Sequence, residues 1–338
     1  MESSMTDFSP LQALGPMTRA RPGLPPWDEH LDRYFEHYRL TPLLTEHVGV
    51  HVGFVDAGGF RLWTQVWSPR EPHGTAFVVH GYFDHLGLYR HLLEWLLERN
   101  WRVVLWDLPG HGLSSGERAS IGDFDEYGHC LSELQQHLAS SGLAPRPWIG
   151  LGQSTGAAIL ATDALRRGEA CHWDGLALLA PLVRPWGWQQ SSWIHLLASP
   201  FIRTLPRKYR ANSTDGEFAT FLREHDPLQP DRVMIPWVSA MRRWMPRLLA
   251  LPPNEVPVMI LQGEQDMTVD WEWNLDVLAR KFPNATIFRH PEARHHLVNE
   301  TQAIRNELFE ALDGFLASLA SASPVSTPST SDVSGDRS

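Results

Sequence analysis

Cysteine is scarce in this sequence, and long apolar runs are missing. Only Cys130 and Cys171 occur among the 338 residues. Two widely separated cysteines cannot form a disulfide scaffold, so we expect two buried thiols in a reducing compartment. No stretch of eighteen uncharged apolar residues occurs, and residues 1–26 hold no apolar run of signal-peptide length. These absences predict a soluble, cytoplasmic protein.

Positive charge is also in deficit. The chain has 29 lysines and arginines against 39 aspartates and glutamates, a net charge of −10 with histidine neutral. This balance argues against a nucleic-acid-binding surface. With 43% hydrophobic and 20% charged residues, the chain is long enough for one large core or two modest ones.

Apolar runs and helical periodicities alternate along most of the chain. Residues 47–55 and 60–67 alternate apolar and polar side chains around Asp56-Ala57-Gly58-Gly59, which predicts a hairpin. Helical spacing occurs in 27–40, 89–98, 124–138 and 301–319, and buried strands are predicted at 75–80, 101–107, 148–151, 175–181, 256–263 and 285–290. This order predicts an α/β fold with a mostly parallel central sheet and helices on both faces.

One long segment interrupts that rhythm. Residues 183–252 contain no clean buried strand but many large apolar side chains, which predicts a helical cap over the carboxyl end of the sheet. We expect most of its aromatic residues to form the cap's own small core and the others to face the site. The predicted core is therefore 27–182 with 253–320. Residues 1–26 are expected to be a flexible arm, and 321–338, rich in Ser, Pro and Thr, a disordered tail.

The stretch 147–158 contains Gly152-Gln-Ser154-Thr-Gly156 between an apolar strand and a helix rich in alanine. In this context a serine is lifted off the sheet in a strained turn, and the flanking glycines let strand and helix approach closely. The helix that follows directs the positive end of its dipole at charge developing on the serine. Ser154 is therefore the candidate nucleophile.

A serine nucleophile needs a base, an acid and donors for the oxyanion. In a sheet of this winding the acid and the histidine follow later strands, in that order. Asp266 lies in the turn after strand 256–263, whereas Asp270 is placed to cap the next helix and Glu264 is too close to the strand end. Either His295 or His296 fits as the base by spacing alone. The expected oxyanion donors are the backbone N–H groups of Tyr82 and Thr155.

The other histidines near these loops have structural explanations. His80 is expected to brace the loop after its strand by hydrogen bonding, and His111 lies in a glycine-rich loop. The pair His295-His296 has no acidic or thiol companion at metal-ligand spacing. We therefore expect neither a metal nor another cofactor.

These motifs together resemble the α/β-hydrolases of the monoacylglycerol lipase and lysophospholipase group, often labelled serine aminopeptidase-like. The resemblance runs from about residue 50 to 319, with all motifs in the family order. The motifs are His80-Gly-Tyr-Phe-Asp-His-Leu-Gly-Leu-Tyr89, Asp107-Leu-Pro-Gly-His-Gly-Leu-Ser-Ser-Gly116, Gly152-Gln-Ser-Thr-Gly156, Gly263-Glu-Gln-Asp266 and Ala293-Arg-His-His-Leu-Val-Asn-Glu300. The resemblance implies that His295 is the base, Asp266 the acid, and the amides of Tyr82 and Thr155 the oxyanion donors.

Three positions depart from the usual pattern of that family. The elbow reads Gln-Ser-Thr-Gly-Ala instead of His-Ser-Met-Gly-Gly, Pro109 stands where an arginine is common, and Tyr82 replaces a small residue. None of these changes removes a member of the catalytic triad. They alter the surroundings of the acyl pocket, and so the substrate.

The sequence accordingly predicts a serine hydrolase that cleaves carboxylic esters through an acyl-enzyme, with a lipid-like ester as its small-molecule substrate. An aminopeptidase or thioesterase is the alternative, since Glu217, Glu224, Asp226 and Asp231 could serve a cap that recognises a free amino terminus. A non-catalytic binding protein on the same fold is a further alternative. It would not need every triad residue to be present.

A second hypothesis concerns the membrane surface. The stretch 191–206 carries Trp193, Ile194, Leu196, Leu197, Phe201 and Ile202 beside Arg203, Arg207 and Lys208. An apolar face next to basic residues suits transient contact with an anionic interface, which would make the protein peripheral at the membrane. The competing interpretation is that these side chains pack down on the body of the protein.

Overall fold

The computed structural model describes residues 7–188, 202–207 and 209–322. The strands within these ranges are β1 (Thr18–Ala20), β2 (Val48–Ala57), β3 (Phe60–Pro69), β4 (Thr75–Val79), β5 (Arg102–Trp106), β6 (Trp148–Gln153), β7 (Gly175–Leu179), β8 (Thr204–Pro206), β9 (Arg232–Met234), β10 (Val258–Gly263) and β11 (Thr286–His290). The α-helices there are α1 (Glu29–His37), α2 (Arg90–Glu98), α3 (Phe124–Ser140), α4 (Thr155–Arg167), α5 (Gly216–Glu224), α6 (Ile235–Ala250), α7 (Trp271–Lys281) and α8 (Gln302–Ala322).

The main sheet has the strand order β1-β2-β3-β5-β4-β6-β7-β10-β11. The ladders from β5 through β4, β6, β7 and β10 to β11 are parallel, and β1, β2 and β3 join the other edge in antiparallel pairs. The hairpin of β2 and β3 turns at Gly58 and Gly59, both with positive φ. The predicted α/β fold with a mostly parallel sheet is therefore confirmed.

Neighbouring residues of the central strands pack on opposite faces of the sheet. In β4, Phe77 and Val79 belong to one apolar cluster, and Ala76 and Val78 to the other. All four are buried because helices cover both faces: α3 and α4 pack on the first, α1, α2 and α8 on the second. The central strands consequently read as continuous apolar runs.

The N-terminal segment differs from the expected flexible arm. Residues 7–26 include β1, which pairs with β2, and Phe8 and Leu11 are buried in the apolar cluster that also contains α1. These buried apolar side chains anchor the segment on the core, although its content of Ser, Pro and Gly had predicted a flexible arm. Residues 1–6 lie outside the described residues, as does 323–338, where most of the predicted tail falls.

The segment predicted to be a cap contains α5, α6 and a short antiparallel ladder of β8 with β9. The ladder was not expected, because three-residue strands leave no periodicity in the sequence. The aromatic residues of α6 also differ from expectation, since they pack on the body instead of forming a core within the cap. Trp237 Nε1 donates to the Tyr127 hydroxyl (3.2 Å), and the Trp244 ring stacks on Phe124 at a centroid distance of 4.9 Å. Residues 189–201 lie outside the described residues.

Candidate active site

Ser154 occupies a sharp turn between β6 and α4. Its φ is 54° and its ψ −108°, a conformation that side-chain-bearing residues rarely adopt and that costs about 1–3 kcal/mol. A Cβ on Gly156 would lie 2.0 Å from the Val79 carbonyl oxygen, and one on Gly152 2.5 Å from the amide nitrogen of Ala157. Both glycines are therefore required by close backbone contact, as the sequence pattern predicted.

Asp266 and His295 are in direct contact. His295 Nδ1 lies 2.7 Å from Asp266 Oδ2. The other carboxylate oxygen accepts hydrogen bonds from the amides of Thr268 (2.7 Å) and Val269 (3.2 Å). An ionised carboxylate can accept hydrogen bonds but cannot donate them. Asp266 therefore fixes the proton of His295 on Nδ1. Nε2, on the opposite edge of the ring, remains for proton transfer.

Asp266 and His295 each shift the pKa of the other so that its charged form is favoured. Burial by itself raises the pKa of Asp266, but the charge and the hydrogen bond of His295 outweigh it and lower that pKa below its usual value. Burial likewise lowers the pKa of His295, and the Asp266 carboxylate more than compensates, so that the pKa of the imidazole is raised. This pairing stabilises the charged form of the His295 imidazole.

Parallel pairing of β10 with β11 brings the two loops together. Gly263 at the end of β10 is level with His290 at the end of β11, and a Cβ on Gly263 would lie 2.3 Å from the Ala293 carbonyl oxygen. Gln265 donates its amide to that oxygen (3.0 Å). The histidine loop is therefore fixed against the strand that carries the acid.

Gln153 joins the histidine loop to the serine turn. Its side-chain Nε2 donates to the His295 carbonyl oxygen over 2.7 Å. Gln153 is the residue before Ser154, at the position where the resembled family usually has histidine. This departure from the family pattern thus has a structural function, because a glutamine amide can donate here without titrating.

The loop after β4 lies against the serine turn. A Cβ on Gly81 would be 3.4 Å from Ser154 Cβ, so the loop that carries Tyr82 touches the turn of the candidate nucleophile. Thr155 is the first residue of α4, where a helix leaves its amides without intrahelical acceptors and its dipole favours negative charge. The two expected oxyanion donors therefore belong to different elements, each next in the chain to a residue of this contact.

Histidine and carboxylate side chains hold this loop from behind. The amide of Leu108 donates to His80 Nε2 (2.8 Å), which leaves Nδ1–H to donate to the Gly81 carbonyl oxygen (2.7 Å). The Gly81 amide is within hydrogen-bond distance of the Tyr89 hydroxyl (3.1 Å) and Asp84 Oδ2 (3.3 Å). His80 thus braces the loop, as expected from the sequence.

His296 takes a different environment from its neighbour. It is buried, with Nε2 3.2 Å from Asp84 Oδ2 and its ring 4.9 Å from that of Phe218. Asn299 Nδ2 lies 3.4 Å from His296 Nδ1. His295 contacts the acid of the candidate triad, whereas His296 contacts the loop that carries Tyr82. Spacing alone could not separate these two residues.

The other two acidic candidates have other partners. Asp270 stands at the N-terminus of α7, but its side chain makes no capping hydrogen bond and instead accepts from Arg184 Nε over 2.8 Å. The predicted capping role was therefore wrong, because an available guanidinium is the stronger partner for the carboxylate. Glu264 lies 3.5 Å from Arg289 Nε.

Sequence reasoning missed the side chains that support the site. Besides Gln153 and Asp84, they include Gln262, whose Nε2 donates to Asp266 Oδ2 over 3.1 Å, and Asp107. Asp107 is fully buried and accepts from the amides of Leu86 and Leu113, both at 2.8 Å. The motif after β5 carried a signal for Asp107. Gln262 had no such signal, because its contact with Asp266 across the turn after β10 depends on how the backbone folds there.

An open cleft of about 650 Å³ adjoins these loops. One wall comes from the loops after β4 and β10, and the other from the cap segment. The described residues that line it are Phe83, Trp186, Leu205, Pro206, Arg207, Arg210, Asn212, Val233, Met267 and Thr268. Thr268 is also an amide donor to Asp266, so the cleft lies next to the turn that carries the candidate acid.

Neither cysteine offers a competing nucleophile. Cys130 is buried and Cys171 half-buried, and both are free thiols. Burial raises the pKa of Cys130 to about 12, which keeps it protonated. Across the described ranges, no three His, Cys, Asp or Glu side chains are grouped so that they could hold a metal ion.

Comparison with known proteins places this geometry in context. The family model for serine aminopeptidase, S33, matches residues 70–302. The chain is 27% identical to human monoglyceride lipase over 289 residues, which cover 81% of this chain and 92% of that protein. It is 24% identical to phospholipase YtpA of Bacillus subtilis over 267 residues, which cover 75% of this chain and 98% of that protein.

Solved structures share the fold. The monoacylglycerol lipase of Paleococcus ferrophilus superposes with a TM-score of 0.66 at 22% identity, covering 76% of this chain and 99% of that one. A soluble variant of the Saccharomyces cerevisiae monoglyceride lipase in complex with a substrate analogue gives 0.68 at 18% identity, covering 79% and 94%. At these identities the likeness establishes the architecture of the chain.

Proposed function

The chain belongs to the serine aminopeptidase S33 family of α/β-hydrolases, and from that membership we propose that Ser154 is the nucleophile of an enzyme that hydrolyses lipid esters. Relatives named as monoglyceride lipases and as a phospholipase support a carboxylic ester hydrolase acting on lipids. The observation that carries the residue assignment is the 2.7 Å contact of His295 Nδ1 with Asp266 Oδ2, in a loop tied to the serine turn by Gln153.

The proposed reaction has two halves. Ser154 Oγ attacks the ester carbonyl carbon while His295 Nε2 takes its proton, and Asp266 stabilises the imidazolium. The amides of Tyr82 and Thr155 donate to the oxyanion. Collapse of the tetrahedral intermediate breaks the ester C–O bond, and the alcohol leaves with the proton from His295. Water then attacks the acyl carbon while His295 takes one of its protons; the bond from that carbon to Ser154 Oγ breaks, His295 returns the proton to Oγ, and the fatty acid leaves.

Aminopeptidase chemistry is not favoured. A cap that recognises an amino terminus needs free carboxylates, but Asp226 is buried 3.0 Å from His85 Nε2. Glu224 pairs with Arg223 on the surface. The cleft beside the candidate acid has no carboxylate among its described lining residues. Its apolar walls fit a lipid-like ester instead.

We further propose that the face around this cleft touches lipid surfaces transiently. Most of the stretch first considered for this role, including Trp193 and Phe201, lies outside the described residues. Support comes from Leu205, in the described part of that stretch, and from Trp186 and Met267: the three line the cleft with 44%, 48% and 51% of their surface exposed. Large apolar side chains grouped at a site entrance suit an interface. In the described ranges, no helix is long and apolar enough to span a bilayer.

A fluorophosphonate probe tests the nucleophile. The wild-type protein should be labelled at Ser154 and should hydrolyse a p-nitrophenyl ester, and Ser154→Ala should lose both reactions while keeping its circular dichroism spectrum. Loss of triad members elsewhere costs about 10⁶ in kcat. Turnover by Ser154→Ala above about a thousandth of wild type would therefore remove the serine from the mechanism. An inert Ser154 in folded wild-type protein would favour a binding protein.

A further inference from the structure

The described lining of the cleft beside the candidate active site is mostly apolar, with Asn212 and Thr268 as neutral polar residues and two cations. Of its described lining residues, Arg207 and Arg210 carry charge and none is acidic. The cleft lies next to the loops that carry the candidate reaction centre. Phe83 follows the candidate oxyanion donor Tyr82, and Thr268 donates its amide to Asp266. A group bound here would belong to the substrate whose ester lies at Ser154.

Arg207 is partly buried and has only neutral partners for its guanidinium. Its Nη1 donates to Gln229 Oε1 (2.6 Å) and to the Pro230 carbonyl oxygen (3.2 Å). The guanidinium also lies over the rings of Phe83 and Tyr209, at 4.2 and 4.6 Å from their centroids. No carboxylate of the described ranges lies within ion-pair distance of it. Burial lowers the pKa of the Arg207 guanidinium, and the carboxylates of Asp84 and Asp226, beyond ion-pair distance, offset this only in part.

The neighbouring residues that the structure does not describe bring no acidic side chain to this part of the chain. The sequence of 189–201, together with Lys208, contains neither aspartate nor glutamate. Arg210 also has a neutral partner, because its Nη1 donates to the Met267 carbonyl oxygen over 2.9 Å. Other cap arginines do have carboxylates: Arg203 pairs with Glu117 at 2.5 Å and Arg223 with Glu224 at 2.7 Å.

A partly buried guanidinium with no carboxylate in ion-pair contact is stabilised when a ligand supplies negative charge next to it. We propose that the cleft binds the phosphate head group of a single-chain phospholipid, with Arg207 and Arg210 as its donors; this inference rests on the proposed lipid ester hydrolysis. The planar guanidinium matches the spacing of phosphate oxygens. With −10 net charge overall, the protein needs local cations to hold an anionic substrate.

Two esters with the same short acyl chain test this assignment. They are octanoylglycerol and octanoylglycerol phosphate, both used below the concentrations at which they aggregate. Wild type should show the higher kcat/KM on the phosphate ester. Arg207→Gln and Arg210→Gln should each lower that kcat/KM about tenfold or more. The kcat/KM on octanoylglycerol should stay within about twofold of the wild-type value. Arg223→Gln removes the same charge outside the cleft and should change neither.

The outcomes separate this inference from the proposed function. If the arginine variants leave the ratio of kcat/KM for the two esters unchanged, for example by lowering both values equally, the arginines are structural. The head-group assignment then fails, while the proposed ester hydrolysis is unaffected. If folded wild type is inert toward both esters and toward p-nitrophenyl octanoate, the proposed function fails and this inference fails with it. Because Arg207→Gln could loosen the cap, Arg210→Gln and the melting temperatures of both variants are required.

Inorganic phosphate distinguishes a head-group site from a site for the free ion. As a head-group mimic it should compete with octanoylglycerol phosphate, and this competition should weaken in Arg207→Gln. A change in kcat for octanoylglycerol on adding phosphate, without competition, would instead indicate a separate phosphate effector site. That result would overturn the assignment.

Discussion

At the residue scale, the adjacent residues His295 and His296 contact different carboxylates. His295 lies 2.7 Å from Asp266, and His296 3.2 Å from Asp84. Asp84 is also within hydrogen-bond distance of the Gly81 amide, in the loop of the candidate oxyanion donor. Two neighbouring residues of one type are therefore expected to act on different parts of the reaction.

We expect His295→Ala to lower kcat by about 10⁴- to 10⁶-fold, because Ser154 loses its base. His296→Ala should reduce kcat far less and should lower the melting temperature, because it leaves a cavity and removes the buried partner of Asp84. Steady-state kinetics on a soluble p-nitrophenyl ester, with thermal unfolding of both variants, checks this. Equal losses in kcat, or the reverse order, would assign the base to His296.

The pH dependence of kcat/KM follows from the same contact. His295 must be neutral to accept the serine proton, and Asp266 raises its pKa above the ordinary 6.5. Activity should therefore increase with pH, with its half-point above 6.5.

Asp266→Asn provides the control for this profile. It should lower kcat about 10⁴-fold, and its acid limb should move to lower pH, because burial then acts on the imidazole without the carboxylate. A profile whose acid limb does not move in this variant would show that His295 is not the titrating group.

At the scale of elements, the cap is joined to the core by a buried charge pair. Asp226, just after α5, lies 3.0 Å from His85 Nε2 and accepts a hydrogen bond from the Tyr38 hydroxyl (2.8 Å). The side chains of Asp226 and His85 are fully buried. Tyr38 follows α1 and His85 follows β4, so one carboxylate holds three elements together.

Asp226→Asn should destabilise the fold by about 3–5 kcal/mol, because it leaves His85 without its buried counter-ion. The matched control is Glu224→Gln, two residues earlier, whose pairing with Arg223 is solvent-exposed and should cost less than about 1 kcal/mol. Urea unfolding measures both. If Asp226→Asn costs no more than Glu224→Gln, this pair does not anchor the cap.

The stability of the wild type should also depend on pH through this pair. Burial lowers the pKa of His85, but Asp226 outweighs it and raises that pKa, so its contribution is complete below 6.5 and is lost as the pH rises through the raised value. Burial raises the pKa of Asp226, but His85 outweighs it and lowers that pKa. The contribution of Asp226 is complete above 3.8 and is lost as the pH falls through the lowered value. Both contributions are present between these limits, and Asp226→Asn should flatten the profile.

At the scale of the whole molecule, exposed apolar side chains gather around one opening. Trp186, Leu205 and Met267 line the cleft, and Ile202 and Tyr209 are their neighbours in the cap segment. The basic residue Arg203 of that segment is paired with Glu117, so the contact with lipid is expected to depend mainly on the apolar residues and not on Arg203.

We expect Trp186→Ser with Leu205→Ser to lower turnover of vesicle-borne monoacylglycerol several-fold while leaving a monomeric short-chain ester nearly unchanged. The reason is that only the first reaction requires contact with a surface. Leu24→Ser is the control, since Leu24 is 54% exposed in the N-terminal segment and does not line the cleft. A parallel loss of both reactions would mean that these side chains shape the site and not an interface.

The sequence by itself determined the order of the central strands and of the helices between them, the parallel sheet and the serine turn. Each of these depends on local patterns: apolar runs of strand length, helical spacing, and glycines where a Cβ would strike backbone, as at Gly156. The same patterns supplied Ser154 and Asp266 as candidates. They could not choose between His295 and His296 without the family resemblance, because neighbouring residues share one spacing.

Only the tertiary structure decided which side chains meet across distant segments. It paired Asp270 with Arg184 instead of the helix end, buried Phe8 and Leu11 of the supposed arm, and joined Asp226 to His85. It also left Arg207 beside neutral partners in an apolar cleft. The free energy of a charge depends on what surrounds it in space, and residues 86 or 141 positions apart in the chain become neighbours only when the sheet has formed.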